Sequence, residues 1–397
     1  MIAIFGNGKT AKDIALREKN CKIFDDKIEN VFHDEFGNGY YPANLFEPTD
    51  NMIEIASPGV PPYNHMIQKA NNVMSDYDFY YNDFPFSIWI SGTNGKTTTT
   101  QMVTHLLSKH GAISGGNIGN SIASMEKAPI WVLETSSFTL HYTNIAKPNI
   151  YILLPITPDH ITWHGSMDEY EMAKLKPLQF MKEGEAIILP KKYSHIKTDG
   201  FAIYYENSLD LADYFGIDIT KIEFKEPFLM DAVMALAVSK MLYDEIDYEL
   251  INSFKIDSHK IEEFRDYKNR LWIDDSKATN IDATIQALKL YKDKKIYLIL
   301  GGDDKGADLS ELFETLKELD VTIFAIGSNA LKIEQLSLSI NKTVFVSTIL
   351  ENAVKEIDKL FIDGVGLLSP AAASLDQFSG YKQRGDKFKE FVINLRV

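Results

Sequence analysis

The sequence predicts an α/β protein of three domains, at 1–82, 83–257 and 258–397. Three observations carry that prediction. Short β-branched and aliphatic runs alternate with helix-length segments along most of the chain, the pattern of parallel strands joined by crossover helices. Loops of glycine and small polar residues follow several of those runs at once, where open α/β sheets bind ligands. The chain has 397 residues, and at roughly 100–200 residues per domain that suggests about two to four domains.

In the first block, 2–5 reads as a strand leading straight into Gly6-Asn7-Gly8-Lys9-Thr10-Ala11. Further strands are expected at 23–25 and 52–56. The aromatic and Asp-rich stretch 76–85 reads as a linker. The second block opens with a strand at 87–91 and a loop at 92–96, which leads into a helix from 97 to about 109. Strands follow at 130–133 and 149–154, then a polar helix at 168–181. A Met/Ala-rich helix at 228–243 is expected to bury one side. In the third block, strands at 271–274, 295–300, 322–326, 343–346 and 364–368 alternate with helices in a doubly wound pattern. An amphipathic helix at 386–395 ends the chain.

Composition narrows the function. The residues are 45% hydrophobic and 24% charged, enough apolar material for more than one core. Lys+Arg number 41 against 56 Asp+Glu, a net charge of −15. This argues against broad nucleic-acid binding, which needs a basic surface, but leaves room for a local basic pocket. Cys21 is the single cysteine, so no intramolecular disulfide can form, as suits a reducing compartment. The N-terminus lacks the basic and apolar regions of a signal peptide, and every apolar run is strand-sized. The expected location is therefore the cytoplasm, without membrane insertion.

Gly92-Thr93-Asn94-Gly95-Lys96-Thr97-Thr98 is the strongest motif, lying between an apolar strand and a helix. Backbone N–H groups in such a loop surround phosphates, Lys96 reaches the β/γ-phosphates, and the Thr97 hydroxyl holds Mg²⁺. Ile90 stands where the general pattern has glycine, so the loop is a shortened variant. Glu134, at the end of a later strand, suits a metal-binding carboxylate, although strand-end glutamates are commonly only solvated. His160 follows another strand and is a candidate metal or substrate ligand; Lys174, taken alone, reads as a surface lysine.

In the third block, the loops beginning at Asp274, Gly301 and Ser369 each follow a strand. Singly they are ordinary helix N-caps; together they make a site for a charged small molecule, with Lys277 and Lys305 able to receive a carboxylate. In the first block, Gly6, Gly8 and Ala11 with Asp25 form a dinucleotide-type fingerprint, which is also the make-up of a tight βα turn. Ser57-Pro58-Gly59-Val60 adds a second small-residue loop on that edge.

Taken in order, these segments resemble the ATP-dependent Mur ligases of peptidoglycan synthesis, and within them the D-glutamate-adding branch. The matching stretches are SPGV at Ser57, GTNGKTT at Gly92, GNIG at Gly116, ETSSF at Glu134, DH at Asp159, AK ending at Lys174, DSKATN at Asp275, GGDDKG at Gly301 and LLSPAAASLDQF at Leu367. The phosphate loop is shared with folylpolyglutamate synthases; the last three stretches are much more specific. The resemblance implies a Rossmann-like UDP-binding domain, a P-loop ATPase central domain and a Rossmann-like C-terminal domain. It implies that ATP phosphorylates the terminal carboxylate of UDP-N-acetylmuramoyl-L-alanine and that the amine of D-glutamate attacks the resulting acyl phosphate.

The resemblance also assigns residues. Thr97 and Glu134 would hold one Mg²⁺, and His160 with a carbamylated Lys174 a second. Thr10, Asp25, Ser57 and Asn117 would face the UDP-sugar. Lys277, Thr279, Lys305, Ser374 and Tyr381 would surround D-glutamate, and Lys260 and Asp275 would contact nucleotide. Two departures stand out: Lys260 where the family often has arginine, and Asp231 where asparagine is common. The ATP site and the amino-acid site fall on separate domains that must meet over the acyl phosphate, so domain closure is expected, in a monomer. Two other readings are a folylpolyglutamate-type amide ligase and a non-catalytic P-loop nucleotide-binding protein.

Overall fold

The computed structural model of the protein describes residues 1–396. Contacts divide the chain into two compact units, Met1–Phe254 and the part from Lys255 onward. Among the described residues the strands form three six-stranded sheets, two in the first unit and one in the second.

In the first sheet Ile2–Phe5 lies between Lys22–Asp25 and Ile53–Ala56, all parallel. Gly39–Pro42 and Val73–Met74 extend it on either side, and Phe32–His33 pairs antiparallel at one edge. The second sheet is wholly parallel. Phe86–Ser91 lies between Ile130–Glu134 and Ile150–Leu153; Ala112–Gly116 flanks it on one side, and Ala186–Pro190 and Phe201–Tyr205 on the other. In both sheets the first strand is internal and later strands add on both sides of it. Its carboxyl end is therefore a topological switch point, where a crevice opens. In the third sheet Val365–Leu368 inserts between Leu271–Asp274 and Ile296–Gly301, so the three polar loops emerge side by side.

The core of the second sheet shows why its strands read as unbroken apolar runs. Ile88 and Ile90 point into one cluster with Val103, Leu107 and Leu236. Trp89, between them, points into another with Trp131 and Tyr151. A strand that alternates faces and is covered on both must be apolar throughout. The second cluster also takes in Ile4, Ile23 and Ile55 of the first sheet, a shared core for the two sheets.

Three of the segments assigned from sequence differ from expectation. The stretch read as a linker forms the helix Asp76–Tyr80 and the 3₁₀ turn Tyr81–Asp83. Ser75 caps it, its side chain accepting from Asp78 N. Its aromatic residues are packing groups: Tyr77 lies edge-on to Trp89 at 4.9 Å, and Phe84 to Trp131 at 5.3 Å. The helix Phe228–Tyr243 is buried all round from Asp231 to Ser239 rather than on one side, because its sequence is apolar around the whole circumference. The polar helix ends at Leu175 and continues as 3₁₀ through Lys176–Gln179, since Pro177 has no N–H to donate.

Candidate active site

The phosphate loop needs its two glycines. Gly92 has φ +139°, and a Cβ there would stand 2.5 Å from Leu154 Cβ. Gly95 has φ +82°, and a Cβ there would stand 2.7 Å from Asp231 Oδ1. The helix Lys96–Leu107 follows directly. The loop is braced from below: Thr93 N donates to Pro155 O at 3.0 Å, and Thr93 Oγ1 donates to Thr157 O at 2.9 Å. The Tyr170 hydroxyl lies 2.9 Å from Thr93 Oγ1. Lys96 Nζ folds back to donate to Gly92 O and Thr93 O, at 3.1 and 2.6 Å.

Glu134 ends its strand buried, with both oxygens engaged. Oε2 accepts from Thr97 Oγ1 and Oε1 from Asn117 Nδ2, each at 2.8 Å. A hydroxyl and a carboxylate side by side at a phosphate loop are oxygen donors of the kind Mg²⁺ takes. Lys174, expected on sequence grounds at the surface, is 1% exposed. Its Nζ donates to Gly92 O at 2.7 Å and lies 4.8 Å from the centre of the Tyr170 ring. Burial first, and then the charge of Lys96, holds its pKa well below the usual lysine range. His160 is partly exposed. Its ring centre lies 4.7 Å from that of Phe138 and 6.2 Å from that of Tyr170.

A cavity of about 530 Å³ opens at the switch points of the first unit and is lined by Thr10, Asp25, Ser57 and Asn117 together. Asp25 shapes its glycine loop, accepting from Asn7 N at 2.7 Å and from Lys27 N at 2.8 Å. Asn117 reaches both places, lining the cavity while its amide holds Glu134. Asp231 accepts from Thr99 Oγ1 at 2.6 Å, and this ties the helix Phe228–Tyr243 to the phosphate-loop helix.

In the second unit the three loops are locked together. Asp303 and Ala373 exchange both backbone hydrogen bonds, at 2.9 and 3.0 Å. Asp275 turns inward: Ser369 Oγ donates to it at 2.7 Å and Ile261 N at 3.2 Å, and burial pushes its pKa up to about 8. Lys277 is half-buried with Nζ 4.2 Å from the Tyr381 ring centre; Thr279 and Lys305 are exposed, and Ser374 is buried. Lys260 Nζ lies 3.3 Å from Asp257 Oδ2.

Two features escaped the sequence reading. Arg384, 1% exposed, donates to Ser276 Oγ and O and to Ala372 O and Ala373 O, at 2.9–3.3 Å. His259 Nδ1 lies 2.7 Å from the buried Asp274 Oδ2, and Gly385 lets a helix pass there, since a Cβ on it would stand 2.2 Å from His259 Nδ1. The only local signal was the Arg-Gly pair inside a helical pattern. His259, Glu262 and Asp274 cluster as metal ligands do, but Lys389 Nζ already sits 3.0 Å from Glu262 and supplies the positive charge.

Known proteins similar to this chain fall in one family. The Mur ligase middle domain model matches residues 90–200. A UDP-N-acetylmuramoylalanine–D-glutamate ligase of Campylobacter jejuni is 51% identical over 397 residues, covering 98% of this chain and 99% of the relative. One of Helicobacter pylori is 45% identical over 418 residues, covering 99% of each. Among solved structures, MurF ligase of Thermotoga maritima in complex with ADP superposes with a TM-score of 0.58 at 17% identity, over 86% of this chain and 88% of that one. MurC of the same organism gives 0.58 at 16% identity over 98% of each. The last two likenesses concern the fold alone. The full-length identities go further: the chain belongs to the Mur ligase family, in its UDP-N-acetylmuramoylalanine–D-glutamate ligase branch.

Proposed function

We propose that the protein is an ATP-dependent amide ligase that joins D-glutamate to UDP-N-acetylmuramoyl-L-alanine in peptidoglycan precursor synthesis. The observation that carries this reading is the chain Thr97–Glu134–Asn117. It links the phosphate loop to the large cavity through two hydrogen bonds of 2.8 Å. A γ-phosphate on the loop and a carboxylate at the Asn117 end of the cavity would thus be neighbours, as carboxylate phosphorylation requires.

The residues suit that chemistry. Bringing a carboxylate to a phosphate opposes two anions, so positive charge must be fixed in place beforehand. Lys96 supplies one such charge. Thr97 and Glu134 would hold Mg²⁺, and His160 with a carbamylated Lys174 a second ion. Bound Mg²⁺ would neutralise charge on the phosphates. Burial lowers the pKa of Lys174 and so favours the neutral amine, the form that adds to carbon dioxide, which suits Lys174 to carbamylation. In the second unit, Lys277 and Lys305 would receive the two carboxylates of D-glutamate, with Thr279, Ser374 and Tyr381 around them. Lys260 and Asp275 would contact nucleotide.

On this reading 1–82 binds the UDP-sugar, 83–257 binds ATP and 258–397 binds the amino acid. The protein acts as a cytoplasmic monomer; no helix among the described residues is long and apolar enough to cross a membrane. The test is phosphate release from ATP, expected only when UDP-N-acetylmuramoyl-L-alanine and D-glutamate are both present. Equal turnover with L-glutamate or meso-diaminopimelate would remove the amino-acid assignment.

A further inference from the structure

The strand Val321–Ile326 pairs with Ile296–Gly301 and ends in a fourth loop, Gly327-Ser328-Asn329, ahead of the helix Ala330–Ser339. This loop grips the one that carries Lys305. Gly302 N donates to Asn329 Oδ1 at 3.0 Å, and Asn329 Nδ2 donates to Asp304 Oδ2 at 3.1 Å. Asn329 is buried, and its amide is engaged at both ends. Ser328 Oγ donates to Gly302 O at 2.9 Å. One turn on, Lys332 Nζ donates to the same Asp304 Oδ2 at 2.8 Å and to Ala307 O at 2.6 Å. The approach is close: a Cβ on Gly301, at φ +115°, would stand 2.8 Å from Asn329 Oδ1.

The grip encloses an unusual residue. Lys305 has φ +50°, a left-handed backbone that a lysine rarely adopts. Such a conformation persists only where the surroundings over-determine it. Two carboxylates shape it from within the loop: Lys305 N donates to Asp303 Oδ1 at 3.0 Å, and Gly306 N donates to Asp304 Oδ1 at 2.9 Å. Asp304 thus holds the turn just after Lys305 with one oxygen, while Asn329 and Lys332 hold its other oxygen. The gripped residues Gly302, Asp304 and Ala307 bracket Lys305 on both sides. Lys305 itself is exposed, so its placement depends on its backbone.

The fourth loop also reaches a second stretch of the amino-acid site. Ser328 N donates at 2.8 Å to Oδ2 of Asp376, which lies in the loop that carries Ser374. The loops carrying Lys305 and Ser374 therefore share one brace.

We infer that Asn329 and Lys332 are positioning residues for amino-acid binding. By fixing Asp304 they hold Lys305 in the backbone conformation from which its ammonium receives a carboxylate of the amino acid. They act through Lys305 rather than by contact with the substrate. This rests on the ligase reading above.

Phosphate release by the full-length wild type, Asn329→Asp, Lys332→Met, Lys332→Arg, Lys305→Met and the double variant Lys305→Met with Lys332→Met tests the inference. Asn329→Asp keeps an acceptor for Gly302 N but sets a carboxylate against Asp304. It should raise the KM for D-glutamate about tenfold or more, with kcat within about threefold and the KM values for ATP and the UDP-sugar within about twofold. Lys332→Met should raise the same KM about 3- to 10-fold, and Lys332→Arg, which keeps a charged donor for Asp304, should stay within about twofold of wild type. In the Lys305→Met background, Lys332→Met should lower kcat/KM for D-glutamate by less than about twofold more, because both changes act through one ammonium. Should Asn329→Asp not fold, the Lys332 and Lys305 variants decide alone. An unchanged KM for D-glutamate in Lys332→Met, a similar rise for all three substrates, or full additivity in the double variant would overturn the inference and leave the ligase reading standing. A wild type that releases no phosphate when D-glutamate joins ATP and the UDP-sugar would instead overturn the ligase reading.

Discussion

Thr97 Oγ1, in the first turn of the helix after the phosphate loop, donates at 2.8 Å to Oε2 of Glu134, the last residue of the strand Ile130–Glu134. The pairing register puts Ile90 beside Glu134, so the carboxylate emerges next to the start of the phosphate loop. Replacing Glu134 by alanine removes a metal-ligand candidate and leaves the Thr97 and Asn117 groups without their shared acceptor. The expected result is a fall in kcat of about 100- to 1,000-fold at saturating ATP and Mg²⁺. Phosphate release measures it, and a loss below tenfold would take Glu134 out of the reaction.

Lys174 gives a prediction in stability rather than rate. Its folded pKa lies well below its unfolded one, so between the two values the folded chain binds fewer protons than the unfolded chain. Stability from this group therefore rises as pH increases toward the unfolded value of about 10.4. In carbon dioxide-free buffer, Lys174→Met should melt higher than wild type at pH 7, and the gap should close by about pH 10. A gap that is constant across that range would mean the amine is not destabilising the folded state.

Asp275 carries the opposite sign of shift. Its folded pKa, about 8, is above its unfolded value, so the folded state binds the extra proton. Its contribution is complete below about pH 4 and is lost as pH rises through about 8. Asp275→Asn should therefore remove part of the wild type's decline in melting temperature between pH 6 and 9, while still accepting from Ser369. Parallel curves for the two proteins would count against the buried, inward-facing carboxyl.

These sites differ in how visible they are in the sequence. The phosphate loop shows because its function requires glycines at fixed places beside an apolar strand. The strand Ala112–Gly116 does not show, because two of its five residues are glycine, yet its end carries Asn117 to Glu134. Ala186–Pro190 and Phe201–Tyr205 were also missed, since short apolar runs carry no periodicity that separates strand from helix. The helix Asp76–Tyr80 was hidden in an aromatic stretch whose burial depends on Trp89 and Trp131, residues a dozen and more positions away. Blocks 1–82 and 83–257 look separate because each repeats the strand–loop–helix pattern, but no sequence period reports the core their sheets share.

Arg384 is the clearest case of a residue that reads as surface and acts as an internal tie. Four hydrogen bonds run from one guanidinium to the loops that carry Lys277 and Ser374, and Gly302 lies close enough that a Cβ on it would meet Nη1 at 3.3 Å. Carbonyl oxygens fixed at these angles match a planar fork of donors, and a lysine ammonium cannot span them. Arg384→Ala leaves the buried carbonyls of Ser276 and Ala372 and the Ser276 hydroxyl without this donor, while Ala373 O keeps Asp303 N, and should cost about 3–5 kcal/mol in denaturant unfolding. Arg384→Lys keeps a charge but not the fork. It should stay folded, with a KM for D-glutamate raised about tenfold or more and a KM for ATP little changed, because the loops lose their mutual register before the sheet loses its core. Equal increases in both KM values would show that the substitution loosens the whole unit rather than the amino-acid loops.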